Sequence, residues 1–185
     1  MKIAVYGGSF NPLHIGHLAI ISFLTQKVGF DYVYLIVSPK NPLKENISAD
    51  SGRSRFQAAV EAVKRHPELK VKVDDIELNL PAPSYSIKTL DALKAREKEN
   101  DFTLVMGADN LALIHKWKDY KRILLEFGAV VYPREGFNLD EIKAKLLEEN
   151  PSYKIQIARA PLINISSTEI RNALAQGKDV TNMLM

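Results

Sequence analysis

Ile3, Ala4 and Val5 stand ahead of a Gly7-Gly8 pair, and a second apolar stretch runs from Leu18 to Leu24 beyond Pro12. The first run reads as a strand, and the glycines as a sharp turn that lets a ligand approach the backbone. Pro12 bars a regular helix before it, so the helix start is expected between Leu13 and Ile15. After Gly29 the string DYVYLIVSP is almost continuously apolar and suits a strand buried on both faces. Residues 40–52 hold Pro42, Gly52 and mixed charge without a period, and are expected to form a mobile surface loop. In RSRFQAAVEAVKRH, Phe56, Ala59, Val60 and Val63 recur at helical spacing, and Pro67 closes the helix.

VKVDDIELNL is expected as a strand, followed by a turn at Pro81 to Pro83 and a helix from Tyr85 to about Lys98 with Ile87, Leu90 and Leu93 on one face. FTLVMG is a buried strand, and NLALIHKWKDYKRILLEF is helical with a break near Trp117 to Asp119. GAVVYPR (strand), LDEIKAKLLEE (helix) and YKIQIAR (strand) follow, and SSTEIRNALAQG ends as a helix with Gly177 at its C-cap. Strands and helices alternate without a repeat. This predicts an α/β, Rossmann-like, doubly wound and mostly parallel sheet with helices on both faces and right-handed crossovers, in a single domain over residues 1–185. Such sheets bind ligands outside the carboxyl ends of their strands. Gly7-Gly8, Ser38 to Lys40, Gly107 to Asp109 and Arg134 all fall at predicted strand ends and can face one crevice.

Composition narrows the chemistry. The 185 residues are 46% hydrophobic, which is enough for a real core. No run approaches the roughly 18 to 20 apolar residues that cross a bilayer. No leader-like segment precedes the first strand, so a cytoplasmic protein without a membrane partner is expected. The absence of cysteine excludes disulfides, thiolate catalysis and cysteine-ligated zinc. Four histidines without an H-E-x-x-H pattern leave little for a protein-built metal site. A net charge of +3 reads as a solvated lysine-rich surface, and the acidic residues among Glu45 to Asp50 interrupt any basic patch, so no nucleic-acid partner is expected. Oligomeric state stays open, a homo-oligomer included.

Two places carry candidate chemistry. His14 and His17 lie about one turn apart at a helix N-terminus, where free N–H groups and the helix dipole favour a phosphate. Ser166, Ser167 and Thr168 precede Glu169 and Arg171 at another helix start. Ser166 with Glu169 suffices for a capping box, while three hydroxyls and a guanidinium also suit a polyphosphate. The string G-x-F-x-P-x-H-x-G-H (Gly8, Phe10, Pro12, His14, Gly16, His17) resembles the first signature of the nucleotidyltransferase superfamily. The string I-S-S-T-x-I-R (Ile165, Ser166, Ser167, Thr168, Ile170, Arg171) resembles the second, about 150 residues later. Neither a Walker A loop nor a G-x-G-x-x-G fingerprint is present.

Within that superfamily the chain resembles the bacterial nicotinate-nucleotide adenylyltransferases, through G-G-S-F-N-P, N-P-L-K, P-S-Y-S with Thr89-Leu90, M-G-A-D-N and Trp117. Ser86 stands where that family usually has threonine. The resemblance implies transfer of AMP from ATP to nicotinate mononucleotide, giving deamido-NAD and pyrophosphate, with Mg2+ brought in by ATP. His14, His17, Lys44 and Arg171 would be catalytic. Gly7, Gly8, Ser9, Phe10, Gly107, Asp109, Arg134 and Ile165 to Thr168, that is Ile165, Ser166, Ser167 and Thr168, would bind ATP. Ser84, Tyr85, Ser86 and Trp117 would bind the mononucleotide, and the 40–52 loop would close over the polyphosphate. Taken singly, Trp117 also fits as a packing residue, Asp109 as a helix cap and Lys44 as a solvated charge. Two other readings are open: another small nucleotidyltransferase, of the pantetheine-phosphate adenylyltransferase or cytidylyltransferase type, or a non-catalytic nucleotide-binding module.

Overall fold

Strand β1 (Lys2–Gly8) lies inside a six-stranded sheet in the computed structural model, which describes residues 1–39, 52–162 and 165–185. The other strands are β2 (Tyr32–Val37), β3 (Val71–Asp74), β4 (Asp101–Gly107), β5 (Ala129–Tyr132) and β6 (Ile155–Ile157). Their order is β3-β2-β1-β4-β5-β6, and every pairing is parallel. The order reverses between β1 and β4, so the carboxyl ends of these two strands flank the switch point where such sheets bind ligands. Gly7 pairs with Ile36 on one side, and Gly107 with Tyr132 on the other.

The alternation of strand side chains divides the core in two. Ile3 and Val5 point into a cluster with Ile87, Leu90, Leu93, Leu111 and Leu146. Ala4 and Tyr6 point into the opposite cluster with Ile21, Leu24, Leu35 and Ala59. The first face is covered by α3 (Ser86–Arg96), the short α4 (Ala108–Ala112) and α5 (Tyr120–Arg122), and α6 (Leu139–Glu149); the second by α1 (Ile15–Phe23) and α2 (Gly52–Lys64). Helix α7 (Ser167–Ala175) inserts the fully buried Ile170. Each such buried aliphatic residue stabilises the fold by about 1.5–3 kcal/mol, which makes the sheet a stiff platform for the loops at its carboxyl edge. Among the described residues no helix is long and apolar enough to cross a membrane.

The expected elements are present, with two differences of extent, at β3 and at β1, where the Gly7-Gly8 pair expected as a turn continues the strand in register with Ile36 and Val37. The strand expected through VKVDDIELNL ends at Asp74, and a 3-10 turn covers Ile76–Asn79. Asp74 is the cause: its buried carboxylate accepts from the N–H of Ile76 at 3.0 Å and from Arg96 at 2.6 Å, which turns the backbone off the sheet. The segment after β4 breaks where expected, because Asp119 adopts φ +52 between a 3-10 turn at Ile114–Lys116 and α5. The loop expected at 40–52 lies, but for Gly52, outside the described residues.

Candidate active site

Helix α1 starts with an unusual cap. His14 is its N-cap residue in extended conformation, and its Nδ1 accepts from the N–H of Gly16 at 3.1 Å. The N–H of His14 in turn donates to Nδ1 of His17 at 3.1 Å, closing a reciprocal cap that is usually built from serine or threonine with glutamate. The two rings stack with centroids 3.7 Å apart. Gly16 is required between them: a Cβ there would stand 2.8 Å from Cε1 of His14.

This cap fixes the chemistry of both rings. An imidazole nitrogen that accepts a hydrogen bond carries no proton, so each neutral ring holds its proton on Nε2. Burial, followed by the charges of His14 and Arg134, pushes the pKa of His17 from 6.5 down to about 3. Burial and then Arg134 also lower His14, against an opposing pull from Glu169. The pair therefore offers two neutral Nε2–H donors.

The second helix start docks on the same loop. Oγ of Ser166 caps α7 by accepting from the N–H of Glu169 at 3.1 Å. The reciprocal bond from the Glu169 carboxylate is not formed among the described residues, so half of the expected capping box is present. Oγ of Ser167 donates to the carbonyl of Pro12 at 3.0 Å. Arg171 donates to the carbonyl of Asn11 with one arm and to Oγ1 of Thr168, 3.2 Å away, with the other. The carbonyl of Ile165 lies 3.7 Å from where a Cβ of Gly16 would stand. The two helix starts thus share one wall.

They enclose a crevice of about 650 Å³ at the switch point. Of the residues singled out in the sequence, Gly7, Gly8, Ser9, Phe10, His14, His17, Arg134, Ser166 and Ser167 line it. Gly107 and Asp109 stand at its edge: Oδ1 of Asp109 is 3.6 Å from Nε of Arg134, and a Cβ on Gly107 would collide with that carboxylate at 2.6 Å. Oδ1 of Asp109 is buried and accepts no hydrogen bond among the described residues. Ile165, Thr168 and Arg171 are outside the lining, and Arg171 reaches only the carbonyl of Asn11 and the hydroxyl of Thr168 among the described residues. Ser84, Tyr85, Ser86 and Trp117 are outside this lining. Trp117 is half-buried against the first core cluster, and Lys118 beside it places its Nζ 4.8 Å over the ring of Tyr85, so these two stretches adjoin. Lys44 lies outside the described residues.

Sequence reasoning missed an aromatic floor and a buried cation. Tyr6 is buried edge-on to Phe10, His17 and Tyr132, with ring centroids 5.4, 6.0 and 6.2 Å away. Burial and then Tyr132 raise its hydroxyl well above the ordinary tyrosine range, so it stays protonated. Arg55, buried in the opening turn of α2, donates to the carbonyl of Ser9 at 2.9 Å. In the sequence Tyr6 reads as a strand residue and Arg55 as one charge on a helix; only the β1–β4–β5 pairing brings Tyr6 to the crevice, and only the packing of α2 brings Arg55 to the loop beside it.

Known proteins show the same arrangement of chain. Residues 5–173 match the cytidylyltransferase-like family. A probable nicotinate-nucleotide adenylyltransferase of Flavobacterium johnsoniae is 39% identical over 184 residues, covering 100% of this chain and 92% of the relative. One from Bacteroides fragilis is 39% identical over 183 residues, covering 99% and 87%. In fold, the chain is similar to the Plasmodium falciparum nicotinic acid mononucleotide adenylyltransferase complexed with NaAD, with a TM-score of 0.76 at 20% identity over 98% of this chain and 87% of that one.

Proposed function

The chain belongs to the nicotinate-nucleotide adenylyltransferases of the cytidylyltransferase-like family, and from that premise we propose that it moves AMP from ATP to the phosphate of nicotinate mononucleotide, giving deamido-NAD and pyrophosphate in NAD biosynthesis. The observation that carries the reading is the convergence of the histidine pair and the Ser166-Ser167 helix start on one crevice.

The attacking phosphate oxygen is already ionised at neutral pH, so the reaction needs no general base. What remains is alignment of the two substrates and stabilisation of charge on the α-phosphoryl group and the departing pyrophosphate. The neutral Nε2–H groups of His14 and His17 suit this role. They donate hydrogen bonds without giving up a proton, and they are set in place before substrate arrives. The N-terminus of α7 offers its free N–H groups and dipole to the β/γ end of the triphosphate. The Oδ1 of Asp109, which accepts no hydrogen bond among the described residues, suits a ribose hydroxyl, with Arg134 and the open backbone of Gly7 and Gly8 around the adenosine. The adjoining Ser84 to Ser86 and Trp117 stretches are assigned to the mononucleotide, and Lys44 to the polyphosphate.

No group of three metal-ligating side chains converges among the described residues. We take a divalent ion, Mg2+, to enter on the triphosphate and screen its charge. We place the reaction in the cytoplasm, where ATP is supplied.

The deciding experiment is pyrophosphate release with ATP and a panel of nicotinate mononucleotide, its amide and phosphopantetheine. Release with the acid above the other two supports the proposal. Release with phosphopantetheine alone would move the chain to the pantetheine type, and no release with ATP bound would make it a binding module.

A further inference from the structure

Arg55 does not line the crevice, yet its guanidinium is one of the few buried charges among the described residues, with 6% of the residue exposed. A guanidinium removed from water has to be matched by acceptors, and those of Arg55 include the carbonyl of Ser9 at 2.9 Å. Ser9 belongs to the loop that follows β1, and its carbonyl is thereby held toward α2.

The next residue shows what that bond maintains. Phe10 has φ +48, in the left-handed region where a bulky side chain is strained by about 1–3 kcal/mol, so the turn persists only if its surroundings hold it. In this conformation the Phe10 ring lies against Gly8, where a Cβ would come within 3.2 Å of it, and meets His17 edge-on at 5.1 Å and 79°. His17 then takes the N–H of His14. A continuous set of contacts thus runs from Arg55 through Ser9 and Phe10 to the plane of the His17 imidazole.

Resting on the adenylyl-transfer reading, we infer that Arg55 is a positioning residue of this reaction: it holds the Ser9-Phe10 turn in its left-handed conformation and through Phe10 fixes the imidazole of His17. It touches no substrate. Its effect falls on the orientation of a donor, so its loss acts on kcat more than on nucleotide affinity.

The test compares wild type, Arg55→Met, Phe10→Leu and the double variant in pyrophosphate release with ATP and nicotinate mononucleotide, and follows the His17 ring nitrogens by 15N NMR. Each single variant is expected to lower kcat by at least about tenfold, with KM for ATP within about threefold. The double variant is expected to be no slower than the slower single one, because both break the same relay. The Nδ1 resonance of His17 is expected to move in both single variants. A folded Arg55→Met enzyme with wild-type kcat, losses that multiply in the double variant, or an unmoved His17 resonance would each overturn the inference. Should Arg55→Met fail to fold, Phe10→Leu, which leaves α2 intact, decides by the same kcat and resonance. Absence of pyrophosphate release by the wild type would tell against adenylyl transfer itself, and the His17 resonance in Arg55→Met would still decide whether Arg55 positions the ring.

Discussion

The main-chain N–H of His14 donates to Nδ1 of His17 at 3.1 Å, so one histidine of the crevice caps the helix turn that carries the other. Replacing His17 by alanine removes the donor proposed for the phosphates and opens this cap. We expect turnover to fall at least about 100-fold, the scale of one lost transition-state donor. The lost cap should lower stability by about 1 kcal/mol. Steady-state pyrophosphate release and urea unfolding check the two effects, and near-normal turnover in a folded His17→Ala protein removes His17 from the mechanism.

The neutral state of His17 makes the fold acid-sensitive in a defined window. Its pKa is about 3 in the fold against 6.5 when unfolded, so between those values the unfolded chain binds the extra proton. The stabilising contribution is fully present above pH 6.5 and is lost as pH falls through the window, by at most about 1.4 kcal/mol per pH unit. Urea midpoints near neutrality and at about pH 5 should separate more for wild type than for His17→Gln, which cannot titrate. Equal separations would mean that the ring titrates alike in the folded and the unfolded chain.

Gly107 keeps the Asp109–Arg134 pair in place. A methyl group there would stand 2.6 Å from Oδ1 of Asp109 and 3.2 Å from Nε of Arg134, and the carboxylate sits on a side chain too short to swing clear without leaving the guanidinium. Gly107→Ala is expected to weaken ATP binding by about tenfold, roughly 1.4 kcal/mol, with a smaller effect on the mononucleotide. Calorimetric titration with each ligand checks this, and unchanged ATP affinity would detach the pair from the adenosine site.

Trp117→Ala is expected to weaken nicotinate mononucleotide binding by about 1–3 kcal/mol, the scale of lost aromatic stacking, with ATP affinity little changed. Because Trp117 also packs against the first core cluster, the variant should unfold at lower urea. An equal loss of affinity for both substrates would assign Trp117 to packing alone.

Where the sequence was readable, one residue type settled local geometry. Pro12 marked the loop ahead of α1 and the hydroxyl run the start of α7, whereas the Gly7-Gly8 pair, expected as a sharp turn, continues β1 and leaves the turn to Ser9 and Phe10. It was less readable where a polar side chain acts on distant backbone. Asp74 ends β3 early through Ile76 and Arg96, neither of which marks a strand end by itself. The reciprocal cap of His14 and His17 was hidden because histidine is an uncommon N-cap, although its H-x-G-H spacing stood in plain view. Tyr6 and Tyr132 fall on different strands and meet only through the β1–β4–β5 order.

The loop carrying His14 is held by residues remote from it in the chain: Ser167 grips Pro12, and Leu184 forms an antiparallel bridge with His14 itself. A nascent or clipped polypeptide that stops before α7 would retain both imidazoles and all six strands of the sheet, and still lack the Ser167 and Leu184 anchors of the loop. Competence for catalysis is thereby tied to late events in biosynthesis, and ribosome-stalled fragments lacking residues beyond 165 should neither retain nor turn over nucleotide.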